Sequence, residues 1–228
     1  MHDEVSIEKK LPNRVDGTLR KFALRVPECI YKCSGIIVFG KRIKSIAFST
    51  DVAIIKNINA DAVIAVYPFT PQAAISQAII QISDVPVFVG VGGGITSGER
   101  SVQLAMQAEH QGAYGVVVNA PMPCEVIHKI KSAVDIPVIV TVVSERMDVA
   151  GRIAAGADFV NVSGAANTAR IVRKLRAEFP ELPIIATGGP TDASILETIE
   201  AGANAITITP PTNGSLFAGI MEKYRDTL

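Results

Sequence analysis

The chain has 228 residues, 48% of them hydrophobic, enough to bury a substantial core in one large domain or two small ones. Its 22 basic and 22 acidic side chains cancel, and no long run carries one sign, so nucleic acid and anionic membrane surfaces find no electrostatic footprint. Tryptophan is absent and aromatics make up 5%, which further weakens a base-stacking role.

The first segment, MHDEVSIEKKLPNRVDG, is polar and mixed in charge, and reads as neither a secretory signal nor a membrane anchor. No apolar run reaches the length that spans a bilayer. Asp16-Gly17-Thr18-Leu19 matches the end of the haloacid-dehalogenase phosphatase motif. The match is a coincidence, because Arg14 stands where that family needs its nucleophilic Asp and Leu11-Pro12-Asn13 is no strand. Cys29, Cys33 and Cys124 form an odd, sparse set that fits a reducing cytoplasm better than a disulfide scaffold. Cys29 and Cys33 would share a helix face, but with no His or further Cys nearby they read as packing residues. Next, Gly35–Lys41 and Arg42–Phe48 predict a hairpin turning at Gly40-Lys41. We expect residues 1–43 to form an extension packed on the bottom of the domain that follows.

From Lys44 onward, short β-branched runs alternate with amphipathic helical patterns. The predicted strands are Ser45–Ser49, Ala62–Tyr67, Val87–Val91, Gly115–Asn119, Val138–Val142, Phe159–Ser163, Ile184–Thr187 and Ala205–Thr209. Each lacks strict polar alternation and so reads as buried on both faces. Between them lie predicted helices such as Pro71–Ile82, Ser97–Gln111, Arg146–Ala155 and Ala193–Ala201. Eight strand–helix pairs over residues 44–228 define an α/β fold, a (β/α)8 TIM barrel. Internal similarity supports the count. Asp51-Val52-Ala53 leads into Ala60-Asp61-Ala62, and Asp148-Val149-Ala150 into Ala157-Asp158-Phe159, offset by roughly 97 residues, so the chain reads as two half-barrels. Gly112-Ala113, Gly156-Ala157 and Gly202-Ala203 recur before the fourth, sixth and eighth strands, where Gly closes a helix.

Ligands of such barrels bind at the C-terminal ends of the strands. There the third strand runs into Val89-Gly90-Val91-Gly92-Gly93-Gly94-Ile95-Thr96-Ser97-Gly98. This fails as a dinucleotide fingerprint, since Ile95 stands where the third glycine belongs, and as a P-loop, since no Gly-Lys-Ser/Thr follows. It reads either as a tight loop or as a second anion pocket built of Gly93, Gly94 and Asn119 with Ala120 and Pro121. Its counterpart is Ala186-Thr187-Gly188-Gly189-Pro190-Thr191 after the seventh strand, followed by Thr209-Pro210-Pro211-Thr212-Asn213-Gly214-Ser215 after the eighth. Amides of a Gly-Gly turn and of a helix start make an anion site without a charged side chain.

This pairing resembles the phosphate-binding TIM barrels, among them the histidine-biosynthesis isomerase and cyclase, thiamine-phosphate synthase, N-acetylmannosamine-6-phosphate epimerase and several flavin-mononucleotide enzymes. The resemblance implies a phosphate held by Gly188 and Gly189, with Thr209, Thr212, Asn213, Gly214 and Ser215 as the second wall. It also implies acidic residues at the ends of the first and fifth strands, where this chain has Asp51 and Glu145. Asp51, like Asp148, equally fits a helix N-cap.

No lysine ends a strand, which disfavours a Schiff-base aldolase. His2, His110 and His128 lie away from the mouth, which disfavours a His base or metal site. Alternation points Asn119, Thr141, Asn161, Ser163, Thr187, Thr207 and Thr209 inward, and Arg100 and Arg146 suit a second phosphate or carboxylate. The expected function is isomerase or lyase chemistry on a small phosphorylated metabolite. The alternatives are an FMN oxidoreductase using the same phosphate site and a non-catalytic regulatory barrel. The nearly uncharged helix 71–82 suggests a homo-oligomer contact.

Overall fold

The computed structural model describes residues 10–13, 15, 17–18 and 23–227; His2 and the acidic residue of the DGTL segment, Asp16, lie outside them. A 3-10 turn, Glu28–Lys32, precedes an antiparallel pair, β1 (Ile36–Val38) and β2 (Lys41–Ile43). Then come β3 (Ser45–Phe48), α1 (Val52–Lys56), β4 (Ala62–Ala65), α2 (Ala73–Ile82), β5 (Val87–Gly92), α3 (Glu99–His110), β6 (Gly115–Val118) and α4 (Cys124–Ala133). The second half repeats the alternation with β7 (Val138–Val142), α5 (Val149–Ala154), β8 (Phe159–Val162), α6 (Thr168–Glu178), β9 (Ile184–Thr187), α7 (Asp192–Glu200), β10 (Ala205–Ile208) and α8 (Asn213–Thr227). Strands β3 to β10 pair in parallel, each with its chain neighbour, and β10 returns to β3, closing the barrel.

The strands are buried on both faces, as their apolar runs require. Outward residues such as Val63, Val116 and Val138 pack beneath the helices. Inward residues change character along the barrel axis. At the N-terminal end Ile46, Ala62, Phe88, Ile139, Phe159, Ile185 and Ala205 form one apolar layer, to which the hairpin adds Ile36, Val38 and Ile43. One pleat further on, β7 to β10 present Thr141, Asn161, Thr187 and Thr207 instead. The interior is therefore sealed at one end and polar at the other.

The hairpin turns at Phe39-Gly40, one residue before the predicted Gly40-Lys41. Val38 pairs with Lys41, leaving two loop residues, and both take positive φ, 47° and 78°. That is the primed turn whose twist suits a tight hairpin. Phe39 is a bulky residue in this region, and its ring meets Tyr114 edge-on at 5.7 Å between centroids. The predicted second strand, Arg42–Phe48, divides at Lys44, whose amide donates to Asp61 Oδ2 at 2.9 Å instead of continuing the hairpin.

The segment before the hairpin runs along the barrel flank. Leu24 bridges to Ile58, and Val26, Ile30 and Cys33 join a cluster with Ile195, Ala201 and Ala203 of the α7 region. Helix α8, by contrast, exposes most of its length, including Phe217, Ile220 and Met221. Helix α2 buries Ser76 and Ile79 against the barrel and leaves Ile75 partly exposed. Among the described residues no helix is long and apolar enough to cross a membrane.

Candidate functional site

The polar ends of the inward-facing rows enclose a chamber of about 250 Å³ at the barrel mouth. Its walls are Asn119, Thr141, Asn161, Ser163, Thr187, Thr207 and Thr209, over an apolar floor of Phe48, Ile64, Val66 and Val117. The walls follow from a two-residue period that places side chains at i and i+2 on one face. The floor residues look like ordinary core in the sequence, and only closure of the barrel reveals their role. Among the described residues no ionisable side chain lines this chamber.

Two wall groups are incomplete. Thr207 is 4% exposed, and neither its Oγ1 nor Asn161 Oδ1 has a hydrogen-bond partner among the described residues. A buried polar atom left alone costs about 1–3 kcal/mol, and such atoms call for a ligand, ion or water to complete them. The same Thr207 accepts the Gly188 amide on its carbonyl at 3.1 Å, so the chamber wall and the Gly-Gly turn are one connected piece.

At that turn Gly188 is buried and Gly189 has φ +80°. A Cβ on Gly188 would sit 2.7 Å from Ile206 Cγ2, and one on Gly189 would sit 2.6 Å from Ser194 Oγ. The Gly188 amide is engaged by Thr207, and Thr191 caps α7 through the Ser194 amide at 3.2 Å. On the other wall Thr212 Oγ1 accepts the Ser215 amide at 3.1 Å, and Ser215 Oγ donates back to the Thr212 carbonyl at 2.8 Å. Asn213 and Gly214 lie in the first turn of α8, where amides have no intrahelical acceptor.

The glycine loop after β5 has a clear packing role. Gly92 and Gly93 take φ +132° and +109°, and a Cβ on Gly93 would fall 2.5 Å from the Asn119 amide nitrogen. Gly93 N–H donates to Thr96 O and Asn119 N–H to Gly92 O, both at 2.9 Å. The loop thereby fixes Asn119 at the chamber wall, with its Gly93 amide already engaged. Gly94 has open space around its Cβ direction and lines a smaller cavity, about 120 Å³, beneath the exposed Phe69 and Ile95. Arg152 braces the adjoining loop by donating to the carbonyls of Ala120 and Met122 at 2.6 and 3.0 Å.

The candidate carboxylates stand outside the chamber. Asp51 Oδ1 accepts the amides of Ala53 and Ile54 at 2.9 and 3.2 Å, capping α1, and Asp148 caps α5 through Gly151 at 2.8 Å. Glu145 Oε1 meets Arg170 Nε at 2.5 Å in a neighbouring cavity, beside Arg146 and Asn167. Arg100 is exposed in the first turn of α3, where its neighbour Glu99 pairs with Lys129 at 3.0 Å. Among the described residues no group of three or more His, Cys, Asp or Glu is placed to hold a metal ion. The sequence reading overlooked Arg170 and Asn167, which enter this region from α6; only the placement of that helix start beside the loop after β7 brings them in.

No protein-family model matches the chain, and no curated protein matches it in sequence. Solved structures share its architecture. One is 2,3-dimethylmalate lyase, described as a member of the PEP mutase/isocitrate lyase superfamily, at 15% identity over 88% of this chain and 86% of that one, with TM-score 0.63. Another is phosphoenolpyruvate phosphomutase from Streptomyces platensis subsp. rosaceus, at 16% identity over 79% and 80%, TM-score 0.60. A third is 4-hydroxy-tetrahydrodipicolinate synthase from Methylacidiphilum fumariolicum SolV, at 14% identity over 74% and 68%, TM-score 0.57. At such identities the likeness establishes the closed α/β barrel and leaves the chemistry to the residues.

Proposed function

We propose that the chain is a barrel enzyme of isomerase or lyase type that takes a small phosphorylated metabolite. The ligand's polar body would occupy the mouth chamber, and its phosphate would lie at the Gly188–Gly189 turn against the start of α8. The observation that carries this reading is the buried, unpartnered pair of Thr207 Oγ1 and Asn161 Oδ1 in a chamber otherwise walled by hydroxyls and amides. A hydroxylated ligand supplies both missing partners, accepting from the Thr207 hydroxyl and donating to Asn161 Oδ1, whereas a carbonyl could satisfy Thr207 only. The chamber volume is below the roughly 300–1,000 Å³ of pockets for drug-sized ligands, which favours a few-carbon metabolite over a flavin. The resemblance of the ATGG turn to the phosphate-binding barrels supports the placement of the phosphate.

Proton transfer would draw on Asp51 and Glu145, the carboxylates at the strand ends. Both lie outside the chamber and would have to leave the α1 cap and the Arg170 pair to reach the ligand. A second reading, a non-catalytic ligand-binding barrel, is favoured by their engagement in a helix cap and an ion pair and by the neutral chamber lining. Calorimetry with a panel of three- to six-carbon sugar and keto-acid phosphates tests the binding site. Micromolar binding lost in Asn161→Ala and Gly189→Asp is expected, and binding that survives both variants removes the site. Turnover of a bound phosphate ester that is abolished by Asp51→Asn or Glu145→Gln supports the enzyme, whereas tight binding without turnover selects the non-catalytic barrel.

A further inference from the structure

A cavity of about 270 Å³ opens beside the chamber and shares no lining residue with it. One wall is the loop after β7, with Ser144, Glu145 and Arg146, and the other is the start of α6, with Asn167 and Arg170. Glu145 Oε1 pairs with Arg170 Nε at 2.5 Å, and Lys174 Nζ donates to the Glu145 carbonyl at 2.9 Å, which steadies the loop against α6. Glu145 is the one ion-pair partner of Arg170 among the described residues, and the Arg170 side chain is 66% exposed, open to a further anion. The side chains of Arg146 and Asn167 have no partner among the described residues, and Asn167, whose backbone N–H donates to Gly164 O at 3.0 Å, does not cap its helix. The helix start is not the source of the attraction, since the Thr168 amide is already given to Ala165 O.

Two guanidinium groups against one carboxylate leave a net positive charge in a concavity backed by Val143 and Ile171. A guanidinium presents paired donors whose spacing matches the oxygens of a carboxylate or phosphate. Pairing Arg170 with Glu145 restrains its guanidinium in advance and reduces the ordering cost of binding. We propose that this cavity is an oxyanion-binding site in which Arg146 and Arg170 grip a carboxylate or phosphate group and Asn167 donates a further hydrogen bond. Glu145 both orients Arg170 and opposes the incoming charge. The site lies beyond the mouth chamber, with Glu145 the one residue that also figures in the proposed proton transfer there.

The test uses the full chain with inorganic phosphate and malonate as probes. Binding is followed by calorimetry and by the side-chain N–H resonances of Arg146 and Arg170 in NMR. Saturable shifts of both resonances at millimolar probe are expected, and the stronger of the two probes names the group preferred. Arg146→Gln with Arg170→Gln should weaken binding at least tenfold. Glu145→Gln should tighten it several-fold by removing the opposing charge. Gly189→Asp reports on the mouth site and should leave this one unchanged, so failure of either site is seen separately. Resonances that do not move, or affinity unaltered in the double variant, overturn the proposal.

Discussion

The carboxylate of Asp158 holds the first amide of β7, Val138 N–H, at 2.8 Å, while Lys131 reaches the same carboxylate at 2.8 and 3.0 Å. Asn204 repeats the arrangement for Ile184 at 2.8 Å, with Arg176 at 2.7 Å, and Asp61 repeats it for Ser45 at 3.0 Å. A polar residue leading into β4, β8 or β10 thus fastens the start of the strand before it. The Gly-Ala step ahead of Asp158 and Asn204 has a matching cause. A Cβ on Gly156 would fall 2.7 Å from Lys131 Cγ, and one on Gly202 would fall 2.9 Å from Arg176 Cγ. The glycines let the cationic side chains cross.

Asp158→Ala leaves both the Val138 amide and Lys131 without their partner. The carboxylate is about one-third exposed, so solvent recovers part of the loss, and a cost of about 1–2 kcal/mol is expected. Denaturant titration should show it as a lower midpoint with an unchanged slope. Asp158→Asn keeps an acceptor for Val138 and should lose less.

Thr207→Val removes a buried hydroxyl that has no partner while keeping the side-chain shape. The ligand-free protein should become more stable, by up to about 1 kcal/mol, and a thermal melt should rise by a few degrees. If the chamber is the binding site, the same variant weakens ligand binding. Greater stability without loss of binding would assign the hydroxyl no role in the site.

Adjacent glycines of the loop after β5 should behave differently. Gly93→Ala places a Cβ against the Asn119 backbone at φ +109°, and a loss of roughly 1–3 kcal/mol is expected from strain alone. Gly94→Ala meets nothing within 4 Å and should melt within a degree or two of wild type. Equal melting temperatures for the two variants would contradict this account of the loop.

Asp51→Ala removes the cap of α1 and should cost about 0.5–2 kcal/mol, with Asp51→Ser recovering most of it. Recovery by serine identifies the hydrogen bond rather than the charge as the stabilising element. Comparison of their unfolding midpoints decides this.

Burial raises the Cys33 thiol above its ordinary range, and the side chain is 2% exposed. Its folded pKa lies above the unfolded value, so its share of stability is intact below the ordinary thiol pKa of about 8.5 and is lost as pH rises through the folded value. Alkylation at mildly alkaline pH should modify the exposed Cys124 first and reach Cys33 only on unfolding. Mass spectrometry of partly labelled protein gives the order.

Much of this architecture is legible in the chain because barrel strands leave a simple trace. Runs such as Val138–Val142 are apolar on both faces, and the pleat alone puts Thr141 on the same side as Ile139. The repeat of Asp51 and Asp148 likewise carries a local meaning, an N-cap, that requires no distant contact. What resists such reading depends on contacts made across the fold. Phe39 adopts positive φ where its ring meets Tyr114, and Arg170 joins Glu145 only because α6 starts beside the loop after β7. The ambiguity of Asp51 is of another kind, since one carboxylate in one position satisfies both a helix start and a catalytic pattern.

The seating of Val26, Ile30 and Cys33 against α7 carries a consequence for biosynthesis. These side chains are made early, and their neighbours Ile195, Ala201 and Ala203 much later, just ahead of the strand that closes the β10–β3 seam. A nascent chain therefore carries this apolar strip uncovered while the roughly 160 residues between Cys33 and Ile195 are made. Its collapse must wait for α7 to emerge, and the interval before it is when a chaperone would engage the chain.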